Sequence, residues 1–211
     1  MELIYGTGNP AKIKFMRRAL CGLPCEIIGL TEAAQKMKIA LPEIEENGKN
    51  PLENARIKAL AYFKLFGRPV FSCDSGLYLW NYETGEMLPE KLQPGIHVRG
   101  ESKKRLTDEE LLGKYIEMVK KHGTILARYK NGICLIVDEK HVYEGMEEEL
   151  WGEPFLLTDT PHRKIIAGFP LDSISVQLTS GKYYYDLETD AQDDIAAKKG
   201  FKKFFENCLG T

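Results

Sequence analysis

Apolar side chains that recur every three or four positions predict helices in three parts of the chain. Two of these segments begin with an asparagine followed by a proline, Asn9-Pro10 and Asn50-Pro51, a pair that suits the first turn of a helix. The third begins after Thr107, which is followed three positions later by a glutamate, as in a capping box. The helices predicted in this way are 10–20, 51–66 and 108–120.

Short apolar runs between the helices predict strands, and beyond residue 120 the period of the pattern changes to two. There, two alternating segments, 124–130 and 133–137, are separated by Asn131-Gly132, a sequence favoured in two-residue turns. We therefore expect a β-hairpin at this position. The remaining predictions are strands at 2–6, 25–28 and 69–73 and near 141–144, 149–157, 163–166 and 173–178, and a last helix at about 189–207.

The order of these elements predicts the fold class. Strand–helix units come first and hairpins come later, which favours an α/β chain with α+β character and a mixed sheet flanked by helices. No linker rich in glycine, serine or proline interrupts the sequence. We therefore expect a single domain over residues 1–211, built as two lobes around a central cleft.

Composition narrows the function without identifying it. Lys plus Arg number 29 and Asp plus Glu number 31, a net charge of -2, whereas nucleic-acid-binding proteins usually carry a basic excess. No apolar stretch approaches the length of a membrane span, and residues 1–6 do not resemble a secretory signal. The five cysteines include no C-x-x-C pair and are expected to be reduced thiols. These observations favour a cytoplasmic protein that binds neither nucleic acid nor membrane.

A glycine-containing turn at residues 6–12 joins the first strand to the first helix. Amides at a helix N-terminus attract anions, and Lys12 adds a positive charge at a position where only an anion would favour it. A plain turn with a solvated lysine explains the sequence equally well. The same residues also fit the G-x-G-x-x-A pattern of dinucleotide-binding proteins, with Glu32 as the ribose-binding acid, but the later hairpins fit that fold poorly.

Two segments that carry carboxylates suggest a magnesium site. One is the acidic loop 42–48, which contains Glu45 and Glu46, and the other is Asp74, directly after the predicted strand 69–73. The carboxyl ends of strands form the ligand-binding edge of α/β sheets, and Mg²⁺ is held by one or two carboxylates together with phosphate oxygens. A solvated acidic loop and a turn aspartate are the alternative interpretations.

Other catalytic chemistries have little support in the sequence. The four histidines have no metal-ligand spacing, no G-x-S-x-G motif is present, and no cysteine stands in a recognisable nucleophile context. Lys58 lies at the border of a buried stripe, where a lysine stem at the core edge is the alternative to a functional role. Phe169 and Asp172 are spaced to stack on and hydrogen-bond a base, with a core phenylalanine and a turn aspartate as the alternative.

Eight short motifs occur in a recognisable order along nearly the whole chain. They are Thr7-x-Asn9-x-x-Lys12, Glu45-Glu46-x-Gly48, Glu53-Asn54-Ala55-x-x-Lys58-Ala59, Asp74-Ser75-Gly76-Leu77, Pro94-Gly95-Ile96, Ala127-Arg128-Tyr129, Trp151-Gly152 and Gly168-Phe169-x-x-Asp172-x-Ile174. Each motif alone is weak, but the ordered set resembles the inosine/xanthosine triphosphate pyrophosphatase family.

This resemblance implies a fold and a reaction. The fold is an elongated mixed sheet with helices, divided into two lobes around a cleft, in a homodimer. The reaction is the Mg²⁺-dependent hydrolysis of deaminated purine nucleoside triphosphates, such as ITP, dITP and XTP, to the monophosphate and pyrophosphate. Such an enzyme removes non-standard purines from the nucleotide pool.

The resemblance also implies roles for individual residues. Asp74 matches the catalytic acid and binds the metal together with Glu46, for which Glu45 is a one-residue alternative. Lys12 and Lys58 neutralise charge on the leaving pyrophosphate, and these side chains are expected to converge on one site. The implied substrate-binding residues are Thr7, Gly8, Asn9 and Lys12 at the triphosphate, Ser75 at the nucleotide, and Phe169 and Asp172 at the base or sugar.

Three departures from the family pattern all lie at the ligand. Cys73 stands where most members have a second aspartate, a Pro-Leu pair at 170–171 replaces Gly-Tyr, and Ala197-Lys198-Lys199 replaces Ser-His-Arg. Lys198 and Lys199 are substrate-binding candidates that keep a positive charge but lack a planar fork of donors. Two alternatives therefore stay open: a nucleotide-binding protein with weakened catalysis, or a pyrophosphatase with a shifted nucleotide substrate.

Overall fold

The computed structural model describes residues 1–100, 105–187 and 195–210, which form seven strands and five α-helices. The strands are β1 Glu2–Tyr5, β2 Glu26–Gly29, β3 Val70–Asn81, β4 Ile125–Ile136, β5 Val142–Gly145, β6 Phe155–Leu157 and β7 Ser175–Gln177. The helices are α1 Pro10–Ala19, α2 Leu30–Met37, α3 Pro51–Phe66, α4 Asp108–His122 and α5 Ile195–Leu209.

The strands form one hydrogen-bonded sheet in the order β2-β1-β3-β4-β6-β7, with β5 paired to β4. β1 is parallel to both β2 and β3. β4 is antiparallel to β5 and β6, and β6 is antiparallel to β7. The fold is therefore a mixed α/β fold, as the order of elements along the chain predicted.

The chain divides into two compact units. The first unit comprises Met1–Ser75, Lys130–Trp151 and Ile195–Thr211, and the second unit comprises Gly76–Tyr129 and Gly152–Asp194. Two of the boundaries fall inside β3 and β4, so each of these strands contributes residues to both units.

Aromatic rings form the centre of the first unit's core. Tyr5 of β1 stacks on Phe71 of β3 with 4.4 Å between ring centroids, and Phe205 of α5 meets Phe71 edge-on at 5.1 Å. All three side chains are buried. These contacts hold α5 against the parallel part of the sheet.

The second unit has a separate core that involves α4. Leu111 and Tyr115 of this helix belong to one buried cluster with Leu77 of β3, Ile125 of β4 and Ile174. Each of these side chains is almost fully buried. The second unit therefore buries its own apolar surface, as a compact unit must.

Capping side chains confirm the predicted helix starts. Asn50 accepts a hydrogen bond from the amide of Glu53 at 3.0 Å, and Gly67 ends α3 with a φ of 59°, in the left-handed region that glycine adopts easily. Thr107 and Glu110 form the predicted capping box at the start of α4.

Helix α2 is not among the predicted elements, although its apolar side chains have helical spacing. Its N-cap is Gly29, which makes no side-chain cap hydrogen bond, and the helix is only 8 residues long. Leu30, Ala33 and Ala34 are buried. Tertiary packing therefore stabilises a helix that lacks a start signal in the sequence.

The hairpin predicted at Asn131-Gly132 is wrong, because β4 runs through both residues without a break. The Asn131 side chain accepts a hydrogen bond from Ser75 Oγ at 2.7 Å and donates one to the carbonyl of Leu150 at 2.7 Å. Gly132 lies against the start of α3, where an added Cβ would come within 2.6 Å of Leu52 Cα. The pair is therefore a packing contact between segments and not a turn.

The strand predicted at 69–73 is longer than expected. β3 continues to Asn81, so Asp74 lies inside a strand and not in a turn that follows it. The parallel neighbour β1 ends earlier, at the pair Tyr5–Phe71. Asp74 therefore still lies beyond the carboxyl end of the parallel pairing, which is the edge where α/β sheets bind ligands.

The remaining strands differ in length from their predictions. The strand near 141–144 is confirmed as β5, whereas those at 149–157 and 173–178 are reduced to the three-residue strands β6 and β7. The segment 163–166 lies within the described part of the chain and forms no strand. Its Ile165 and Ile166 are exposed, so the apolar residues that suggested a strand are not buried.

Two predicted segments extend outside the described residues. The last helix, predicted at about 189–207, is found as α5 from Ile195 onward, and 189–194 lie outside the described part. The irregular segment 81–105 contains one short 3-10 helix, Glu90–Leu92, and its residues 101–104 also lie outside. Among the described residues, no helix combines the length and apolar character needed to cross a membrane.

Replacing Gly132 with alanine tests whether this residue is a packing contact. The added methyl would collide with the backbone of Pro51 and Leu52, so we expect the free energy of unfolding to fall by about 1–3 kcal/mol. Urea unfolding followed by circular dichroism measures this change.

Gly113→Ala is the matched control for that experiment. Gly113 lies inside α4, and a Cβ there meets nothing within 4 Å. Alanine should therefore stabilise the protein by roughly 0.5–1 kcal/mol. Equal effects of the two substitutions would contradict the packing role of Gly132.

Candidate active site

Three charged side chains from separate segments of the first unit meet in one cluster. Lys58 Nζ on α3 lies 2.6 Å from Glu46 Oε2 and 3.3 Å from Asp74 Oδ1. The side chains of Lys58 and Asp74 are only 12% and 16% exposed, whereas that of Glu46 is 43% exposed. A loop, a helix and a strand thus bring together three of the residues that the motifs singled out.

The ammonium group of Lys58 keeps its charge in this cluster. Burial acts to lower the pKa of Lys58, but the negative charges of Asp74 and Glu46 and their hydrogen bonds outweigh it, and the net effect raises this pKa. One positive charge therefore lies between two negative charges.

Asn54, one turn before Lys58 on α3, fixes the position of Asp74. Its buried side chain donates from Nδ2 to Asp74 Oδ2 at 3.1 Å and accepts at Oδ1 from the amide of Gly48 at 2.8 Å. An amide N–H can only donate, so the orientation of the Asn54 side chain is determined. One side chain thereby ties the acidic loop 42–48 to β3.

Cys73 lies beside the cluster as a neutral thiol. Burial raises the pKa of Cys73 to about 12, although the positive charges of Lys12 and Lys58 act to lower it. Cys73 packs into the buried cluster that contains Tyr5 and contributes no negative charge beside Asp74.

The hydroxyl group of Ser75 also has a defined orientation. The Leu150 carbonyl can only accept, so Asn131 directs Nδ2 towards it and Oδ1 towards Ser75. Ser75 Oγ therefore donates its proton to Asn131 and presents its lone pairs to other groups. A ligand hydroxyl suits this acceptor better than a phosphate oxygen does.

The turn before α1 is capped by its own side chains, which corrects the expectation of exposed amides. Asn9 Oδ1 accepts from the amides of Ala11 at 2.9 Å and Lys12 at 3.4 Å, and Thr7 Oγ1 accepts from the amide of Asn9 at 3.3 Å. Gly8 is surrounded by open space, since an added Cβ meets nothing within 4 Å. An anion at this turn would therefore depend mainly on the charge of Lys12.

The carboxylates of Glu46 and Asp74 fit the requirements of a magnesium ion. One ammonium group contacts both of them, so they converge on a single cation position. Mg²⁺ prefers oxygen ligands and is often held by only one or two carboxylates, so it does not need a group of three ligating side chains, which the described residues lack. Glu46 and its one-residue alternative, Glu45, are both exposed, and Glu46 is the residue that contacts Lys58.

Phe169 and Asp172 lie in the second unit. The Phe169 side chain is 55% exposed, so its interpretation as a core residue is wrong. Burial raises the pKa of Asp172 to about 6. An exposed ring near a partly buried carboxyl group is compatible with the binding of a nucleobase.

Lys198 and Lys199 lie on α5 in the first unit. The residues on both sides of them are packed, because Ala197 is buried and Gly200 lies against the backbone of Glu149. Lys199 is exposed. The helix is therefore held by small residues that flank the two lysines.

A cavity of about 910 Å³ follows α1 in the first unit. Its lining includes Gly8, Pro10 and Glu32. Glu32, the acid that a dinucleotide-binding fold would use for ribose, forms an ion pair with Arg17 at 3.1 Å. The antiparallel pairing from β4 to β7 is what argues against the dinucleotide-binding interpretation, because that fold has a mostly parallel sheet.

Comparison with known proteins places the chain in a family. The Ham1 family matches residues 3–199. The chain belongs to the Ham1 family. The resemblance carried by the eight motifs is thereby confirmed, because relatives in this family are named dITP/XTP pyrophosphatase.

Relatives cover almost the whole length of this Ham1 protein. The dITP/XTP pyrophosphatase of Borrelia duttonii is 33% identical over 225 residues, which cover 98% of both chains. That of Symbiobacterium thermophilum is 32% identical over 200 residues, which cover 92% of this chain and 88% of the relative. The structure of the Staphylococcus aureus Ham1 protein is similar to this fold, with a TM-score of 0.70 and 19% identity. The match covers 100% of this chain and 98% of the Staphylococcus aureus chain.

Sequence reasoning gave two asparagines of this Ham1 protein no role at the site. Asn54 precedes Lys58 by four positions, so helical spacing alone places both side chains on one face of α3. That spacing could have indicated its role. Asn131 gave no such signal, because Asn-Gly usually marks a turn.

The burial of Cys73 can be tested by alkylation of the native protein with iodoacetamide at pH 8. The raised pKa keeps the Cys73 thiol protonated, and the thiolate is the reactive form, so we expect it to react at least about a hundredfold more slowly than the exposed Cys21. Mass spectrometry of the labelled peptides measures both rates. Labelling in denaturant is the control, since both thiols should then react; similar native rates would contradict the burial.

Proposed function

We propose that this chain catalyses the Mg²⁺-dependent hydrolysis of non-standard purine nucleoside triphosphates, such as ITP, dITP and XTP, to the monophosphate and pyrophosphate. The observation that carries this proposal is the cluster of Glu46, Lys58 and Asp74, in which two carboxylates face one cation position. Relatives named dITP/XTP pyrophosphatase, which align with 92% and 98% of the chain, support the same reaction.

Asp74 is the central catalytic residue of the proposal. Its carboxylate is held by Asn54 and Lys58, and it can accept a proton from the water that attacks phosphorus. Glu46 and Asp74 would hold Mg²⁺ together. When bound, this ion supplies positive charge against the phosphate oxygens.

Positive charge at the phosphates is the contribution of Lys12 and Lys58. Negative charge develops on the pyrophosphate as it leaves, and nearby ammonium groups stabilise that charge. Lys58 would turn from Glu46 and Asp74 towards the phosphates when Mg²⁺ takes its place between them. The turn formed by Thr7, Gly8 and Asn9 would bind the triphosphate next to Lys12. Because Asn9 and Thr7 already cap this turn, it keeps its shape without a ligand.

The base and sugar are assigned on the family pattern. Phe169 would stack on the base and Asp172 would accept hydrogen bonds from the base or sugar, while Ser75 would accept one from a nucleotide hydroxyl. Lys198 and Lys199 occupy the positions of the family's His-Arg pair and would carry positive charge to the base. The expected homodimer and cytoplasmic location stay predictions.

A nucleotide-binding protein with weakened catalysis is the second candidate. The neutral thiol of Cys73 favours it, because this position gives the site no second aspartate. Pyrophosphate release from a panel of nucleoside triphosphates, with and without Mg²⁺, separates the two candidates.

Asp74→Asn tests the catalytic assignment. The amide keeps the shape of the side chain but loses its negative charge and its ability to take up a proton, so turnover of ITP should fall by roughly 10²–10⁴. The melting temperature should change little. Steady-state pyrophosphate release and thermal denaturation measure the two quantities.

Asp138→Asn is the control for this variant. Asp138 is a surface carboxylate of the first unit that pairs with His141 at 2.8 Å. Its replacement should leave turnover unchanged. Near-normal activity of Asp74→Asn would remove Asp74 from the proposed mechanism.

Base selectivity should be weaker than the family pattern suggests. Lysines donate from flexible point charges, whereas a His-Arg pair can direct planar donors at the base carbonyls. We therefore expect kcat/KM for ITP and XTP to exceed that for ATP and GTP by less than about a hundredfold, well below the 10⁴–10⁵ that oriented hydrogen bonds reach. Steady-state kinetics on the four triphosphates measure this ratio.

Lys199→Arg restores one planar donor group and should increase this selectivity. Lys203→Arg, an exposed position on the same helix, is the matched control and should not change it. Strong selectivity in the unaltered protein would instead assign base recognition to Phe169 and Asp172.

A further inference from the structure

Arg99 and Asp108 form a closed ring of hydrogen bonds with the backbone of Gly168. Arg99 Nη1 donates to Asp108 Oδ1 at 2.7 Å, and Arg99 Nη2 donates to the Gly168 carbonyl at 2.7 Å. The amide of Gly168 donates to Asp108 Oδ2 at 2.6 Å. The Arg99–Asp108 ion pair thus binds both the amide and the carbonyl of Gly168, although Gly168 follows Asp108 by 60 positions and Arg99 by 69 positions in the chain.

The two side chains of this ring are themselves anchored. Asp108 is the first residue of α4, directly after the capping box at Thr107. The carbonyl of Arg99 accepts a hydrogen bond from the amide of Leu106 at 2.8 Å. The amide of Gly168 and the guanidinium of Arg99 both lower the pKa of Asp108, so its carboxylate stays ionised at neutral pH.

The closed set of hydrogen bonds between Arg99, Asp108 and Gly168 fixes the residue directly before Phe169. Gly168 has a φ of 87°, which glycine adopts at little cost, and the Phe169 carbonyl accepts a hydrogen bond from the Tyr185 hydroxyl at 3.3 Å. The Phe169 amide donates to the carbonyl of Ile166 at 3.0 Å. The backbone on both sides of Phe169 is therefore fixed, while its ring is 55% exposed.

A fixed backbone beneath an exposed aromatic ring suits a stacking surface for a flat ligand. Aromatic side chains can stack on any nucleobase, and the stacking depends on the orientation of the aromatic ring. A side chain that moved freely would lose conformational entropy when the base binds, which would weaken the affinity. Five hydrogen bonds hold the backbone of Gly168 and Phe169 beneath this side chain, the fifth being from the amide of Asp172 to the Phe169 carbonyl at 3.3 Å.

We propose that Arg99 and Asp108 are positioning residues that orient Phe169 for stacking on the purine base of the substrate. This inference rests on the proposed function, which supplies the purine nucleotide. Neither residue touches the substrate in this proposal, and both act through Gly168 and Phe169. They set affinity for the base and leave the phosphate-binding residues of the first unit unaffected.

A double-mutant cycle in the full-length protein tests this proposal. Arg99→Lys keeps the charge but cannot donate to Asp108 and Gly168 from one planar group, and Asp108→Asn keeps the shape without the charge. Each is combined with Phe169→Ala, and the dissociation constant of inosine 5′-monophosphate is measured by calorimetry. Inorganic tripolyphosphate, measured as a competitive inhibitor or by calorimetry, reports the phosphate-binding residues alone. Glu117→Gln, which removes an exposed ion pair with Lys120 on α4, is the control.

We expect Arg99→Lys and Asp108→Asn each to weaken binding of inosine 5′-monophosphate about tenfold, the effect of one charge-assisted hydrogen bond. Affinity for tripolyphosphate should stay within about twofold of the unaltered protein, as should both affinities of the control. In the Phe169→Ala background, Arg99→Lys and Asp108→Asn should have no further effect, because a positioning residue then has no aromatic side chain left to orient.

Three results would overturn the proposal: equal losses with and without the Phe169 ring, a parallel loss of tripolyphosphate affinity, or no binding of inosine 5′-monophosphate to the unaltered protein. The proposed function fails separately. A protein that binds the monophosphate but releases no pyrophosphate from any triphosphate would overturn the reaction, while the cycle would still decide the role of Arg99 and Asp108.

Discussion

Two carboxylates that lie close together repel each other, and in this protein the ammonium group of Lys58 removes the repulsion between Glu46 and Asp74. The acidic loop, α3 and β3 meet at this point, and the buried amide of Asn54 links the same three segments. The catalytic assignment depends on this arrangement, because an isolated Asp74 would have neither a defined orientation nor a second carboxylate beside it.

The two units carry different kinds of chemistry. In the first unit, alternating positive and negative charges converge near β3, as a site for a metal ion and phosphate groups requires. In the second unit, an ion pair is used to fix a backbone turn below an aromatic ring. In the proposed function, charge would act on a ligand directly in the first unit and through the geometry of the chain in the second.

Local signals in the sequence predicted what local interactions determine. The caps at Asn50 and Thr107 depend on residues within one turn, so the starts of α3 and α4 were predicted correctly. Motif order likewise indicated that Glu46, Lys58 and Asp74 belong together, although the loop sequence left Glu45 open. The choice between these glutamates depends on the contact with Lys58, which no local pattern encodes.

Contacts between distant segments explain the failures. The break predicted in β4 overlooked the start of α3, which lies about eighty positions earlier and requires a residue without a side chain at Gly132. The strand end predicted at Cys73 overlooked the rest of β3, whose Leu77 and Leu79 are buried. The amides at the start of α1 are a different case, because Asn9 and Thr7 occupy them through local contacts that depend on side-chain orientation.

The unbroken path of β4 through Asn131-Gly132 also has a consequence for the deamidation of Asn131. In flexible chains the amide nitrogen of glycine attacks the side-chain carbonyl of a preceding asparagine and expels ammonia, and water then opens the cyclic imide to aspartate or isoaspartate. Here the Asn131 amide is buried and bonded at both ends, and the extended strand keeps the two groups apart. An unfolded chain loses that protection, and the carboxylate it would acquire has no N–H for the Leu150 carbonyl. We therefore expect deamidation of Asn131 to be slow in the folded protein and faster in the unfolded chain.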